Sequence, residues 1–171
     1  SSRGVKPYSY NAPTQQTATP SGSYTYDNNG NTLTDLSGKS YTWDFENRMV
    51  QAVVPGTGTM TFKYDPFGRR VQKSSSLGTT NYLYDGIGYG SSVVEEVDNA
   101  GNVLARYTQS PAIDQPLAEL RSGTTSYYQQ DALSSVTSLS NPAGTLANTY
   151  TFDSFGKVTA STGTLINPFQ Y

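Results

Sequence analysis

Cysteine and histidine are absent from the 171 residues, and charge is sparse: Asp, Glu, Lys and Arg make up 14% of the chain, against roughly 25% in an average soluble domain. Without cysteine there is no disulfide, no thiolate nucleophile and no sulfur-ligated zinc. The redox compartment is left open, because a cysteine-free chain folds in either setting. Without histidine the commonest general base and the commonest transition-metal ligand are missing. A net charge of −2 with no basic cluster argues against a nucleic-acid partner. No apolar run approaches the roughly 20 residues that span a bilayer. Ser1 opens no charged-then-apolar leader, so export to the outside or the cell surface would be directed by a signal beyond this sequence. The length suits one domain able to bury a core.

Tyrosine is what the chain has in excess, with 14 copies against 6 Phe and a single Trp. Its placement is periodic. Tyr24-Thr25-Tyr26-Asp27, Tyr41-Thr42-Trp43-Asp44, Phe62-Lys63-Tyr64-Asp65, Tyr82-Leu83-Tyr84-Asp85 and Tyr150-Thr151-Phe152-Asp153 all read aromatic-x-aromatic-Asp. The first four recur about every 20 residues, a period that marks a repeat architecture. A turn signal follows the aspartate, clearest in Asn28-Asn29-Gly30-Asn31, Pro66-Phe67-Gly68-Arg69 and Ser154-Phe155-Gly156-Lys157. Val97-Asp98-Asn99-Ala100-Gly101-Asn102 keeps the turn without the aromatics.

One unit explains itself. Two aromatics at i and i+2 share a strand face. The Asp carboxylate bonds backbone N–H groups beyond it and starts a turn, and Gly supplies the positive φ that closes it. Each unit is then a β-hairpin, marginal alone, so the units pair side by side. The expected fold is all-β: a mostly antiparallel sheet of consecutive hairpins, open, spiralling or barrel-like, with about twelve strands and a tyrosine ladder. Val53–Gly58 and Ser74–Gly78 are expected as loops. Residues 1–23, rich in Pro, Thr, Ser and Gln, read as a linker or irregular N-terminal segment, and residues 24–171 as the repeat domain.

The repeats resemble the RHS/YD-repeat family of bacterial polymorphic toxins, insecticidal toxin complexes and teneurin adhesion proteins. The resemblance covers Ser23 to Tyr171. Tyr127-Tyr128-Gln129-Gln130-Asp131-Ala132-Leu133-Ser134-Ser135-Val136 is similar to the family's Y-x-x-D-x-L-G-S-V block, and residues 149–156 and 167–171 to the blocks after it. Ser134 stands where the family has Gly. The sequence stops at Tyr171, before the T-G-x-x-x-D and Y-Y-x-x-R-Y-Y blocks and the self-cleavage motif, so autoproteolysis is not expected here. The resemblance implies a sheet that spirals into a shell around a toxin. Twelve strands at about 4.8 Å make a ribbon of about 58 Å, less than half of the roughly 140 Å needed to encircle a 100-residue cargo; the chain is a panel with raw edges, expected to pair with other YD repeats or with copies of itself.

Chemistry is not expected from the recurring aspartates. Asp27, Asp44, Asp65, Asp85, Asp98, Asp131 and Asp153 sit at turn after turn, as a capping role requires, whereas a glycosidase carboxylate pair occurs once. Asp27–Asn31 and Asp98–Asn102 lack the later positions of a helical calcium loop. Serine has no histidine to activate it, and the lysines form no motif. Gly86-Ile87-Gly88-Tyr89-Gly90 has no P-loop lysine; Ile87 and Tyr89 are its candidate contact residues. The sequence reading is therefore a structural segment with no catalysis, no cofactor and no metal, forming part of a shell or scaffold. An extracellular carbohydrate-binding or adhesion module and a self-assembling filament or tube subunit are the alternatives, with a toxin cargo or a glycan as partner.

Overall fold

The computed structural model describes residues 9–11, 15–19, 22–86, 91–112 and 115–170. Ile87 and Tyr89, the candidate contact residues, lie outside them. The described residues form seventeen strands and no helix, more strands than the expected twelve because short pieces near the N-terminus also pair. The chain divides into two compact units, Ser1–Thr79 and Thr80–Tyr171.

In the first unit β1 (Ser9–Tyr10), β2 (Gln16–Thr19) and β3 (Gly22–Ser23) make a three-stranded antiparallel sheet. They are followed by β4 (Thr25–Tyr26), β5 (Thr32–Thr34), β6 (Ser40–Trp43), β7 (Met49–Val54), β8 (Gly58–Tyr64) and β9 (Arg70–Ser75), each paired antiparallel with the next. Strand β10 (Gly78–Tyr84) leads into the second unit, with β11 (Val93–Val97), β12 (Val103–Gln109), β13 (Pro116–Arg121), β14 (Thr124–Gln130), β15 (Val136–Ser140), β16 (Leu146–Phe152) and β17 (Val158–Thr162). From β4 to β17 the order in the sheet is the order in the chain, 14 strands with no crossover. Among the described residues β17 is paired on one side only, so the arrangement is open and not a closed barrel. The expected antiparallel sheet of consecutive hairpins is what forms. Two expected loops are shorter than the sequence suggested: β7 runs through Val54 and β8 starts at Gly58, while β9 reaches Ser75 and β10 starts at Gly78.

Eight hairpins share one turn, at Asp27, Asp35, Asp44, Asp65, Asp98, Asp131, Asn141 and Asp153. The first residue's N–H donates to the fifth residue's carbonyl and its own carbonyl accepts from the fourth N–H, as in Asp65 N to Arg69 O (3.0 Å) and Gly68 N to Asp65 O (3.0 Å). The Asx Oδ1 accepts the third and fifth N–H groups, Phe67 N at 2.9 Å and Arg69 N at 3.0 Å. The fourth residue has positive φ, for example 91° at Gly30, 60° at Asn47 and 68° at Ser134. This is a type I turn closed by a left-handed residue and a bulge, and the ladder shifts register at the strand end beside it, as between Lys63 and Tyr64. Ser134 keeps the geometry without glycine.

The fifth residue secures the second carboxylate oxygen. Asn31 and Asn102 donate Nδ2 to Asp27 and Asp98 at 2.8 Å, and Arg48 and Arg69 donate Nε to Asp44 and Asp65 at 2.8 and 2.7 Å. These bonds hold several of the carboxyls below the usual range. Asp35 is lowered to about 2, chiefly by the Ser37 hydroxyl, and Asp98 is lowered chiefly by Asn102.

The aromatics tie one repeat to the one before it. Trp43 Nε1 donates to Thr32 O (2.8 Å) and Tyr64 OH to Met49 O (2.8 Å); both carbonyls open the strand after the previous turn. Tyr26 OH donates to Gln16 O (2.9 Å) and Tyr41 OH to Asp35 Oδ2 (2.8 Å). The i, i+2 pairs stack along their strands, Tyr24 on Tyr26 at 6.3 Å and Tyr150 on Phe152 at 6.5 Å. Phe62, Tyr82 and Tyr84 are half-buried in β8 and β10. Gln109, at the position where β12 lacks the second aromatic, makes the same reach to Val93 O (3.0 Å).

The two units differ in how their sheet is covered. Among the described residues of the first, Ala52 is the one fully buried apolar side chain; a single layer is held by its ladder, its turns and half-buried rings. The second unit has a true core of Tyr128, Val136 and Leu139, with Tyr150 and Phe169 packed on it. The cover is residues 163–170, which run back over one sheet face.

Candidate functional site

The covered face of the second unit holds the densest polar chemistry. Alternation and register bring Glu96 of β11, Tyr107 of β12, Glu119 and Arg121 of β13 and Tyr128 of β14 to it: Glu96 pairs with Ala105, Ala105 with Arg121, and Tyr107 with Glu119. Arg121 Nη2 donates to Glu96 Oε2 (3.0 Å) and to Tyr107 OH (2.7 Å). Tyr107 OH donates to Glu96 Oε1 (2.8 Å), and Tyr128 OH to Glu119 Oε2 (3.2 Å). Arg121 Nε lies 3.7 Å from Glu119 Oε2. Glu119 is 2% exposed and Glu96 8%.

Two buried carboxylates face one guanidinium, so the cluster carries a surplus negative charge when all its members are ionised. Burial pushes the Glu119 carboxyl above its ordinary range, against the pull of Arg121 and the Tyr128 hydrogen bond. Burial, then the Glu96 hydrogen bond, pushes the Tyr107 hydroxyl far up; burial and the Glu119 charge do the same to Tyr128. Both phenols therefore remain neutral donors. Burial works against the Arg121 cation, but its bond to Glu96 and the surrounding negative charge raise it overall. The cluster can hold a proton and anchor the strands across three pairings.

Residues 163–170 close over it. Gly163 has φ +78°, and a Cβ there would stand 2.0 Å from Ala147 O and 2.1 Å from Asn148 Oδ1. Asn148, 3% exposed, grips Leu165 as a strand would, donating Nδ2 to Leu165 O (2.9 Å) and accepting Leu165 N–H (3.2 Å). Val136 N donates to Gln170 O (2.9 Å). Phe169 stands edge-on to Tyr107 at 5.0 Å and to Tyr128 at 6.0 Å.

Of the residues singled out in the sequence, the structure brings Tyr128 alone to this cluster. Asp27, Asp44, Asp65, Asp131 and Asp153, with Gly30, Gly68 and Gly156, lie in the shared turn; Asp85 bridges a longer one, accepting Ser92 N–H at 2.9 Å. Sequence reasoning missed Glu96, Glu119 and Arg121.

No protein-family model matches the chain. In sequence it is similar to the protein named tRNA3(Ser)-specific nuclease WapA from Bacillus spizizenii, 32% identical over 169 residues, which is 95% of this chain and 7% of that protein. It is equally similar to the tRNA nuclease WapA of Bacillus subtilis strain 168, at 32% over 169 residues with the same shares. The chain thus spans 7% of the length of the curated relatives it matches. In structure it is similar to a chain of a variant Photorhabdus luminescens Tc holotoxin pore, with a TM-score of 0.56 and 12% identity, covering 91% of this chain and 10% of that one.

These relatives overturn the expectation of a purely non-enzymatic structural segment, because the proteins it resembles are named nucleases. The missing His and Cys excluded only the commonest catalytic side chains, and the match covers 7% of each relative's length. The chain has an all-β, RHS-like fold.

Proposed function

We propose that this chain is a YD-repeat segment of a tRNA nuclease of the RHS/YD-repeat family, whose sheet is continued through the edge of β17 by further repeats. The observation that carries the reading is 32% identity to proteins named tRNA nucleases, sustained along 95% of the chain. The RHS-like fold supports it. Strand β17, with Thr159–Thr162 exposed, offers a row of backbone donors and acceptors for the next strand to complete. tRNA is the substrate of the protein as a whole. The test is incubation of the protein carrying this sequence with purified tRNA, resolved on denaturing gels, together with hydrogen exchange on β17. Discrete tRNA fragments and protected outward amides of β17 are expected. Intact tRNA under conditions where the protein is folded would overturn the nuclease reading, and freely exchanging β17 amides the edge-pairing part of it.

A further inference from the structure

We propose that residues 163–170 form a lid whose closure over the sheet depends on a proton held by Glu119. The argument starts from the charge count beneath the segment. Facing it are Glu96 from β11, Tyr107 from β12, Glu119 and Arg121 from β13 and Tyr128 from β14; residues 163–170 bring no titratable side chain of their own. The phenols stay neutral. Arg121 is committed to Glu96 at 3.0 Å and reaches Glu119 only at 3.7 Å, with its Nε making no hydrogen bond. Glu119 is thus the carboxylate left over, 2% exposed, with Tyr128 OH at 3.2 Å as its hydrogen-bond donor.

A buried carboxylate that shares its one cation with a second carboxylate, at 3.7 Å and without a hydrogen bond to it, either takes up a proton or draws in water. Water reaches a Glu119 that is 2% exposed by displacing what packs around its Tyr128 donor, and Phe169 of the segment stands edge-on to that ring and to Tyr107. Protonated Glu119 therefore favours the closed lid, and ionised Glu119 favours the open one. The direction in which burial moves Glu119 agrees with this geometry. The segment is built to leave as a unit: among the described residues it is held by the Asn148–Leu165 pair of bonds, the Val136–Gln170 bond, the Phe169 ring and the buried Asn167.

Two amides report the lid directly, Val136 N–H, which donates to Gln170 O, and Leu165 N–H, which donates to Asn148 Oδ1. Hydrogen exchange is followed between about pH 4.5 and 7.5, corrected for the intrinsic pH dependence of exchange, and comparison with a Glu119 variant assigns the change to that side chain. Expected is a loss of protection at both amides as pH rises, tenfold for each unit by which closure raises the pKa of Glu119. Glu119→Gln, which cannot ionise, should keep both amides protected at pH 7.5 at the level the unsubstituted protein shows at pH 4.5. Protection that does not change with pH in the unsubstituted protein, measured without any variant, overturns the proposal, as does a Glu119→Gln protein that retains the full pH dependence.

Discussion

Replacing Gly163 by alanine adds one methyl group where the backbone of residue 163 passes closest to β16. The new Cβ would lie 2.0 Å from Ala147 O and 2.1 Å from Asn148 Oδ1, well inside any real carbon–oxygen contact, and one of these neighbours is strand backbone. The segment must lift. Its first losses are the two Asn148–Leu165 hydrogen bonds, about 1 kcal/mol each. A left-handed φ of +78° adds about 1–2 kcal/mol for a residue bearing a Cβ. The sum is about 3–4 kcal/mol if Phe169 keeps its seat, and more if it leaves. Urea unfolding gives the stability change, and exchange at Val136 N–H shows whether the lid has detached. A Gly163→Ala protein with an unchanged midpoint and a protected Val136 would refute the packing argument, and with it the view that this segment is what buries the core of the second unit.

Further tests address the cluster, the turns and acid. Arg121→Met leaves Glu96 and Glu119 buried without their cation and should cost about 3–5 kcal/mol by urea unfolding. Ser134→Gly relieves a left-handed residue at φ 68° and should stabilise the protein by about 0.5–1 kcal/mol, the strain released less the backbone entropy that glycine brings. The carboxyls of Asp27, Asp35, Asp44, Asp65 and Asp98 are all lowered in the folded state from 3.8. Their contribution is complete above that unfolded value and disappears as pH falls through the folded ones, about 2 for Asp35. Acid unfolding followed by circular dichroism should therefore steepen below about pH 4, and Asp65→Ala should shift the transition to higher pH.

The turns were legible because everything that makes them is local: an aspartate, a residue able to take positive φ three positions on, and strand on either side. Looking for aromatics first still hid two of them. Asp35 follows Leu33-Thr34 and Asn141 follows Leu139-Ser140, yet both build the same turn, since the Asx carbonyl or carboxyl oxygen and the fourth residue suffice. The fifth-residue partners, Arg48 and Arg69 among them, stand at a fixed spacing from the aspartate, four positions on. The buried cluster was not legible. Glu96 and Arg121 lie in different hairpins, and whether they share a face depends on the bulges at Glu96/Val97 and its neighbours, each of which shifts every side chain beyond it. The closing segment was harder still: Asn167–Gln170 resembles a block of the RHS/YD-repeat family, but nothing in it says which face of which strands it will cross.

The unbroken chain order from β4 to β17 has a consequence for how such a molecule is made and taken apart. Among the described residues every ladder joins immediate successors, so closing one demands only a short stretch of polypeptide. Assembly can follow synthesis one hairpin at a time, each new strand templated by the last, and a pull on one end should peel strands away in sequence, as a zip opens, not shatter the whole at once. A chain that must pass through a narrow opening and reform beyond it would gain from that order: nothing emerging early has to wait for a distant partner.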